Sequence, residues 1–176
     1  MLAVVRESIP RSKVNEVYLL DYGDLGLLKD LMKKTYEIFM ENPDTLRVFK
    51  DVDLKYVWSY LREALKNSDP SVKILLFKRV NGDGDDCILG ASLVSWGSPW
   101  YAPKITVLSE ECTVSFVKGS GIANALIYTL ENGFADVDII QASNANAPCR
   151  KLLDNSYTRL GMDSYKTFYK DLRETV

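Results

Sequence analysis

The apolar residues of this chain change their spacing abruptly near residue 70, and that change limits the folds open to it. Before it, Leu27, Leu28, Leu31, Met32, Ile38 and Phe39 recur at helical intervals. Leu54, Val57, Trp58, Leu61, Ala64 and Leu65 make a second helical stripe. After it, residues 72–80 and 87–96 are runs of strand formers. They are joined by Asn81-Gly82-Asp83-Gly84-Asp85-Asp86, a turn-rich connection suited to a β-hairpin. Two helices followed by a hairpin imply a mixed chain in which helices flank a sheet.

The remaining segments extend that pattern. Residues 16–20 are a short strand, and Asp24 is placed to cap the helix that begins at Leu25. That helix should stop near Asn42-Pro43, and the second, starting after Asp53, near 67–70. Residues 104–114 read as a third meander strand, 119–132 contain a helical stripe and 137–142 read as a short buried strand. Residues 148–160 read as a helix with Pro148 in its first turn and Gly161 at its C′ position, and 162–172 as one or two closing strands. The order is β-α-α-β-β-β-α-β-α-β. A length of 176 residues suits one domain over 16–176, preceded by an arm over 1–15 whose first 13 residues look loose.

Composition then excludes chemistries. The chain has no histidine. Ser-His-Asp and Cys-His nucleophile systems are therefore absent, as are histidine-bearing zinc and iron sites, and no metal site is expected. Proton transfer near neutral pH falls to carboxylates, Tyr, Lys, Cys, water or the backbone. With 22 basic and 24 acidic residues the net charge is −2, which argues against a general nucleic-acid binder. Cys87, Cys112 and Cys149 are too scattered for a disulfide framework or a zinc ribbon, and read as small buried hydrophobes in a reducing compartment. The apolar run near the start is four residues long, too short for a signal peptide, and no segment is long enough to span a bilayer. The expected location is the cytoplasm.

The stretch richest in chemistry is Val117-Lys118-Gly119-Ser120-Gly121-Ile122-Ala123-Asn124-Ala125-Leu126. It follows a strand and opens a helix. Small residues at 119, 121 and 123 let a ligand approach the backbone, the first helical N–H groups are free, and Lys118 adds a cation. These are the parts of a pyrophosphate cradle. The P-loop pattern is missing, and a dinucleotide fingerprint would put Gly or Ala where Asn124 stands. The competing reading is a plain glycine turn into an ordinary helix.

This stretch resembles motif A of the GNAT superfamily, the Gcn5-related N-acetyltransferases, which runs Gln/Arg-x-x-Gly-x-Gly/Ala. The matching residues are Lys118, Gly121 and Ala123, with Lys118 keeping the charge but losing the planar fork of Arg. Residues 146–162 are similar to motif B, roughly Asn-x-x-Ala and then a helix ending Tyr-x-x-x-Gly-Phe. Tyr157, Leu160, Gly161 and Met162 fit its end, while Asn146 lies four residues further from Gly161 than is usual, about one helical turn. The element order matches the family from about residue 16 to 172.

The resemblance implies a GNAT fold, a mixed and mostly antiparallel sheet flanked by helices. It implies acetyl-CoA or another acyl-CoA as co-substrate and direct attack by an amine within a ternary complex. The backbone amides of Gly119, Ser120, Gly121, Ile122 and Ala123 would hold the pyrophosphate, with Lys118 and Asn146 nearby. Cys112, Thr113 and Val114 would offer a strand edge to pantetheine. Tyr157 would protonate the leaving thiolate, and Glu111, or its neighbour Glu110, would act as base. The bland alternatives are a core aromatic for Tyr157 and solvated strand charges for the two glutamates.

The family also includes catalytically silent structural or binding members, virion components among them, and that is the alternative function. The amine acceptor, small molecule or protein, is not legible. A homo-oligomer or an assembly partner is compatible with the sequence. Residues 81–86 fail as a calcium loop, since the sixth position is Asp86. Trp96, Trp100 and Tyr101 read either as lining for the acceptor or as cover for a strand end or an oligomer contact.

Overall fold

The computed structural model describes residues 8–41, 52–81, 86–134 and 136–142. Strand β1 is Glu16–Leu19, helix α1 Leu25–Met40 and helix α2 Leu54–Lys66. Strands β2 (Val72–Arg79), β3 (Cys87–Gly97) and β4 (Val107–Ser115) follow. Helix α3 (Ile122–Asn132) then leads to β5 (Ile139–Gln141). The five strands form one sheet in sequence order, β1 to β4 antiparallel and β5 parallel to β4. The mixed fold class and the element order read from the sequence hold over the described residues. The helix of 148–160 and the closing strands lie outside them, as do residues 82–85 of the hairpin turn.

Both faces of the sheet are covered, which is why β2 is an almost unbroken apolar run rather than an alternating one. Leu75 and Phe77 point into one core with Val17, Val94, Leu108 and the α3 residues Ile122, Ala125, Leu126 and Leu130. Ile74 and Leu76 point into the other with Leu28, Leu31, Leu61 and Leu65 of α1 and α2. The α3 spacing of i, i+3, i+4 and i+8 places its apolar stripe on the sheet, each fully buried Leu contributing about 1.5–3 kcal/mol. Gly90 sets how closely α3 starts against β3. A Cβ there would meet the Val114 carbonyl at 2.5 Å and Ile122 Cδ1 at 3.0 Å.

Helix termini follow local chemistry. Asp53 caps α2, its carboxylate accepting from the Lys55 and Tyr56 N–H groups at 2.9 and 3.1 Å. Asp24 does not cap α1 as the sequence suggested. A 3-10 turn over Tyr22–Asp24 intervenes, and the Asp24 carboxylate turns back to accept from the Asp21 N–H at 3.0 Å and the Tyr18 hydroxyl at 2.9 Å. The reciprocal bond, Gly23 N–H to Asp21, completes a capping box one turn earlier than expected.

Two further expectations are corrected. Residues 8–13 are not loose, because Ile9 is buried in the core under α3 and backbone bonds hold Ser12 and Lys13. The strand expected over 137–142 is shorter and not buried, with Ile139 48% exposed. The helical stripe within 119–132 is helix α3 from Ile122, and Gly119 and Gly121 before it adopt φ of 69° and 76°, outside the helical region.

Candidate cofactor site

Between β4 and α3 the chain makes two left-handed turns at Gly119 and Gly121. The Ser120 N–H donates to the Val117 carbonyl at 3.2 Å, and the Ser120 hydroxyl pairs with that of Ser115 at 3.0 Å. Ser120 is thus buried, and its amide is spent inside the turn. The first helical bond of α3 runs from Ala125 N–H to the Gly121 carbonyl at 3.1 Å. Among the described residues, the N–H groups of Gly119, Gly121, Ile122 and Ala123 have no acceptor. They lie where the helix dipole is positive. A Cβ built on Gly119 meets nothing within 4 Å, so open space lies over the turn. Lys118 beside it is exposed.

Gly121 is demanded by a different contact. A Cβ there would lie 2.5 Å from the Arg11 carbonyl and 2.7 Å from Ser12 Cα. The N-terminal arm crosses the turn at this point. Lys13 N–H donates to the Ser120 carbonyl at 2.9 Å, the Ser12 hydroxyl to the same carbonyl at 3.2 Å, and Asn124 Nδ2 to the Arg11 carbonyl at 2.8 Å. The sequence reading missed this contact. Its one sequence signal is the pair of isolated apolar residues Ile9 and Val14 on either side of Pro10-Arg11-Ser12-Lys13. The contact also explains why Asn124 stands where a dinucleotide loop has Gly or Ala.

β4 pairs with β3 along its length, but with β5 only from Val107 to Ser109 among the described residues. Cys112, Thr113 and Val114 lie on the stretch beyond, where β4 has no described partner on its β5 side. Their side chains are engaged elsewhere. Val114 is buried under α1 and α2, and the Thr113 hydroxyl pairs with Ser92 at 2.8 Å. Burial, with the Glu110 carboxylate adding to it, pushes the Cys112 thiol up to about 12.

The two glutamates separate at a bulge. Leu93 pairs with Cys112 but Val94 pairs with Glu110, so Glu111 is the extra residue of β4. Glu110 shares the face of Val94, toward α3, and is buried at 6% exposure. Glu111 is exposed and accepts a hydrogen bond from the Ser95 hydroxyl. Strict alternation cannot count through such a bulge, which is why the sequence did not distinguish the pair. Tyr157 and Asn146 lie outside the described residues. At the far end of β3, Trp96 packs edge-on against Phe134 at 5.9 Å, whereas Trp100 and Tyr101 are exposed. Among the described residues no helix is long and apolar enough to cross a membrane, and no three metal-ligating side chains cluster.

No family model matches the chain, and no curated protein does. Solved structures do. The chain is similar to an aminoglycoside acetyltransferase from an uncultured soil metagenomic sample, at 16% identity and TM-score 0.62, over 88% of this chain and 95% of that one. It is similar to a predicted acetyltransferase with acetyl-CoA from Clostridium acetobutylicum, at 16% identity and TM-score 0.58, over 90% and 96%. A third likeness is AAC(6′)-Iy in complex with the bisubstrate analogue CoA-S-monomethyl-acetylneamine, at 12% identity and TM-score 0.57, over 88% and 96%. The chain therefore has the fold of the GNAT acetyltransferases.

Proposed function

We propose that this protein is an N-acyltransferase that moves an acetyl or related acyl group from acyl-CoA to an amine by direct attack in a ternary complex. The observation that carries the reading is the crescent of acceptor-free N–H groups at Gly119, Gly121, Ile122 and Ala123, open to solvent over Gly119. It adjoins the stretch of β4 that has no partner on its β5 side among the described residues. Backbone donors at a helix N-terminus suit a pyrophosphate, and a strand edge without a partner among the described residues suits the amides of pantetheine. The amide of Ser120 leaves the donor set, because Val117 accepts its proton.

Acetyl-CoA supplies the acyl group as an activated thioester. In this reading Glu111 takes the proton from the attacking amine, directly or through a water, and Tyr157 donates one to the departing sulfur as the C–S bond breaks. Glu111 is suited to meeting an amine because it is exposed and held at the bulge by Ser95. A reducing compartment with an acyl-CoA pool, the cytoplasm, suits the free thiols Cys87 and Cys112. Amines are the acceptor class, and aminoglycosides head the panel to be tried because one neighbour of the fold is an aminoglycoside acetyltransferase.

Thermal unfolding with and without acetyl-CoA tests the cofactor. Binding to the native state raises the melting temperature, by about 2.7 kcal/mol of stability at a hundredfold excess over Kd. No shift at millimolar acetyl-CoA would sink the reading. If binding holds, thiol release with an amine panel tests catalysis. Tyr157→Phe should then lower kcat by about 100-fold or more with little change in affinity. An unchanged rate would remove Tyr157 from the acid role.

A further inference from the structure

We propose that the N-terminal arm is part of the cofactor site, with Arg11 and Lys13 supplying cations to the phosphate groups of the bound acyl-CoA. This rests on the cofactor reading above and adds to it two residues from the opposite end of the sequence. Three bonds pin the arm to the glycine turn: Lys13 N–H and the Ser12 hydroxyl to the Ser120 carbonyl, and the Asn124 side chain to the Arg11 carbonyl. Arg11 is held at φ 57°, a conformation uncommon for a non-glycine residue, so its backbone is fixed by its surroundings. The contact is close enough that Gly121 has no room for a Cβ.

The charge distribution gives the arm its chemistry. The whole chain has more acidic than basic residues, 24 against 22. Yet residues 8–15 and 115–124, which meet here, contain Arg11, Lys13 and Lys118 and no carboxylate. All three cations are exposed, and among the described residues none has an anionic partner. Three unneutralised cations around four free amides exceed what one compact anion needs. They suit a ligand with several phosphate groups, and coenzyme A carries a pyrophosphate and a 3′-phosphate. Because the arm backbone is already ordered, its cations are presented at little further entropic cost.

The test is calorimetric titration of the full chain with CoA and with 3′-dephospho-CoA. Arg11→Gln and Lys13→Gln, singly and together, are compared with Lys29→Gln, an exposed cation on α1, as control. Each arm variant should weaken CoA binding about three- to five-fold and the pair about ten-fold or more, the range of exposed ion pairs. The loss should shrink in about 0.5 M salt, and Lys29→Gln should bind as the unaltered chain does. A loss confined to CoA assigns the arm to the 3′-phosphate; an equal loss with both ligands assigns it to the pyrophosphate; either upholds the proposal. A change below about two-fold in the double variant, or a loss undiminished by salt, overturns it and leaves the cofactor reading standing. Failure of the unaltered chain to bind millimolar CoA overturns both.

Discussion

Burial separates two cysteines that composition alone treats alike. Cys87 is exposed at the start of β3, whereas Cys112 is partly buried in β4 beside Glu110. Burial, and then the neighbouring carboxylate, raise the Cys112 thiol from an ordinary 9.0 to about 12. The unfolded thiol ionises first, so this group's contribution to stability is fully present below pH 9.0 and is lost as pH rises from there through about 12. The thiolate is the reactive species. Iodoacetamide at pH 8 should therefore label Cys87 quickly and Cys112 only after unfolding, as read by peptide mass mapping. Equal labelling of the folded chain would refute the burial of Cys112. Of the three cysteines that composition suggests are buried, Cys87 is exposed, Cys112 is partly buried and Cys149 lies outside the described residues; an isolated Cys at a strand end carries no periodic signal of which way it faces.

Among elements, the β4–α3 turn shows how one motif carries two constraints. Gly119 and Gly121 share a positive φ, but open space surrounds the first and the Arg11–Ser12 backbone crowds the second. Gly119→Ala should cost about 1 kcal/mol of left-handed strain, with its main effect on cofactor affinity. Gly121→Ala adds a steric clash to the same strain and should cost about 2–4 kcal/mol, detaching the arm from the turn. Urea unfolding of the two variants measures the difference, and equal losses would contradict the close contact. The motif was legible in the sequence as a strand, a glycine turn and a helix. Its second constraint was not, because Arg11 lies 110 residues from Gly121 and no local pattern links them. The bulge at Glu111 was hidden for a related reason, since register is a property of two strands.

At the scale of the whole molecule, one sheet separates two cores among the described residues. Leu126 belongs to the core under α3 and Leu61 to the core under α1 and α2. Truncating either to Ala should cost about 2–5 kcal/mol, depending on how far the cavity collapses. Since the two share no cluster, the double variant should lose the sum to within about 0.5 kcal/mol. Denaturant titration tests this, and a coupling above about 1 kcal/mol would mean that the sheet transmits packing between its faces.

Over the described residues the sequence by itself determined the element types and their order, because helical and strand periods are local consequences of which residues must be buried. It also determined the absence of imidazole chemistry and the presence of a glycine turn between a strand and a helix. Tertiary structure decided the rest. It separated buried Glu110 from exposed Glu111 through the β4 bulge, and it spent the Ser120 amide within the turn. It also laid the backbone of Arg11, Ser12 and Lys13 against Ser120, Gly121 and Asn124 at the opening of α3. These are contacts between residues far apart in the chain, set by how the sheet pairs and what packs across its end, and no period within the sequence encodes them.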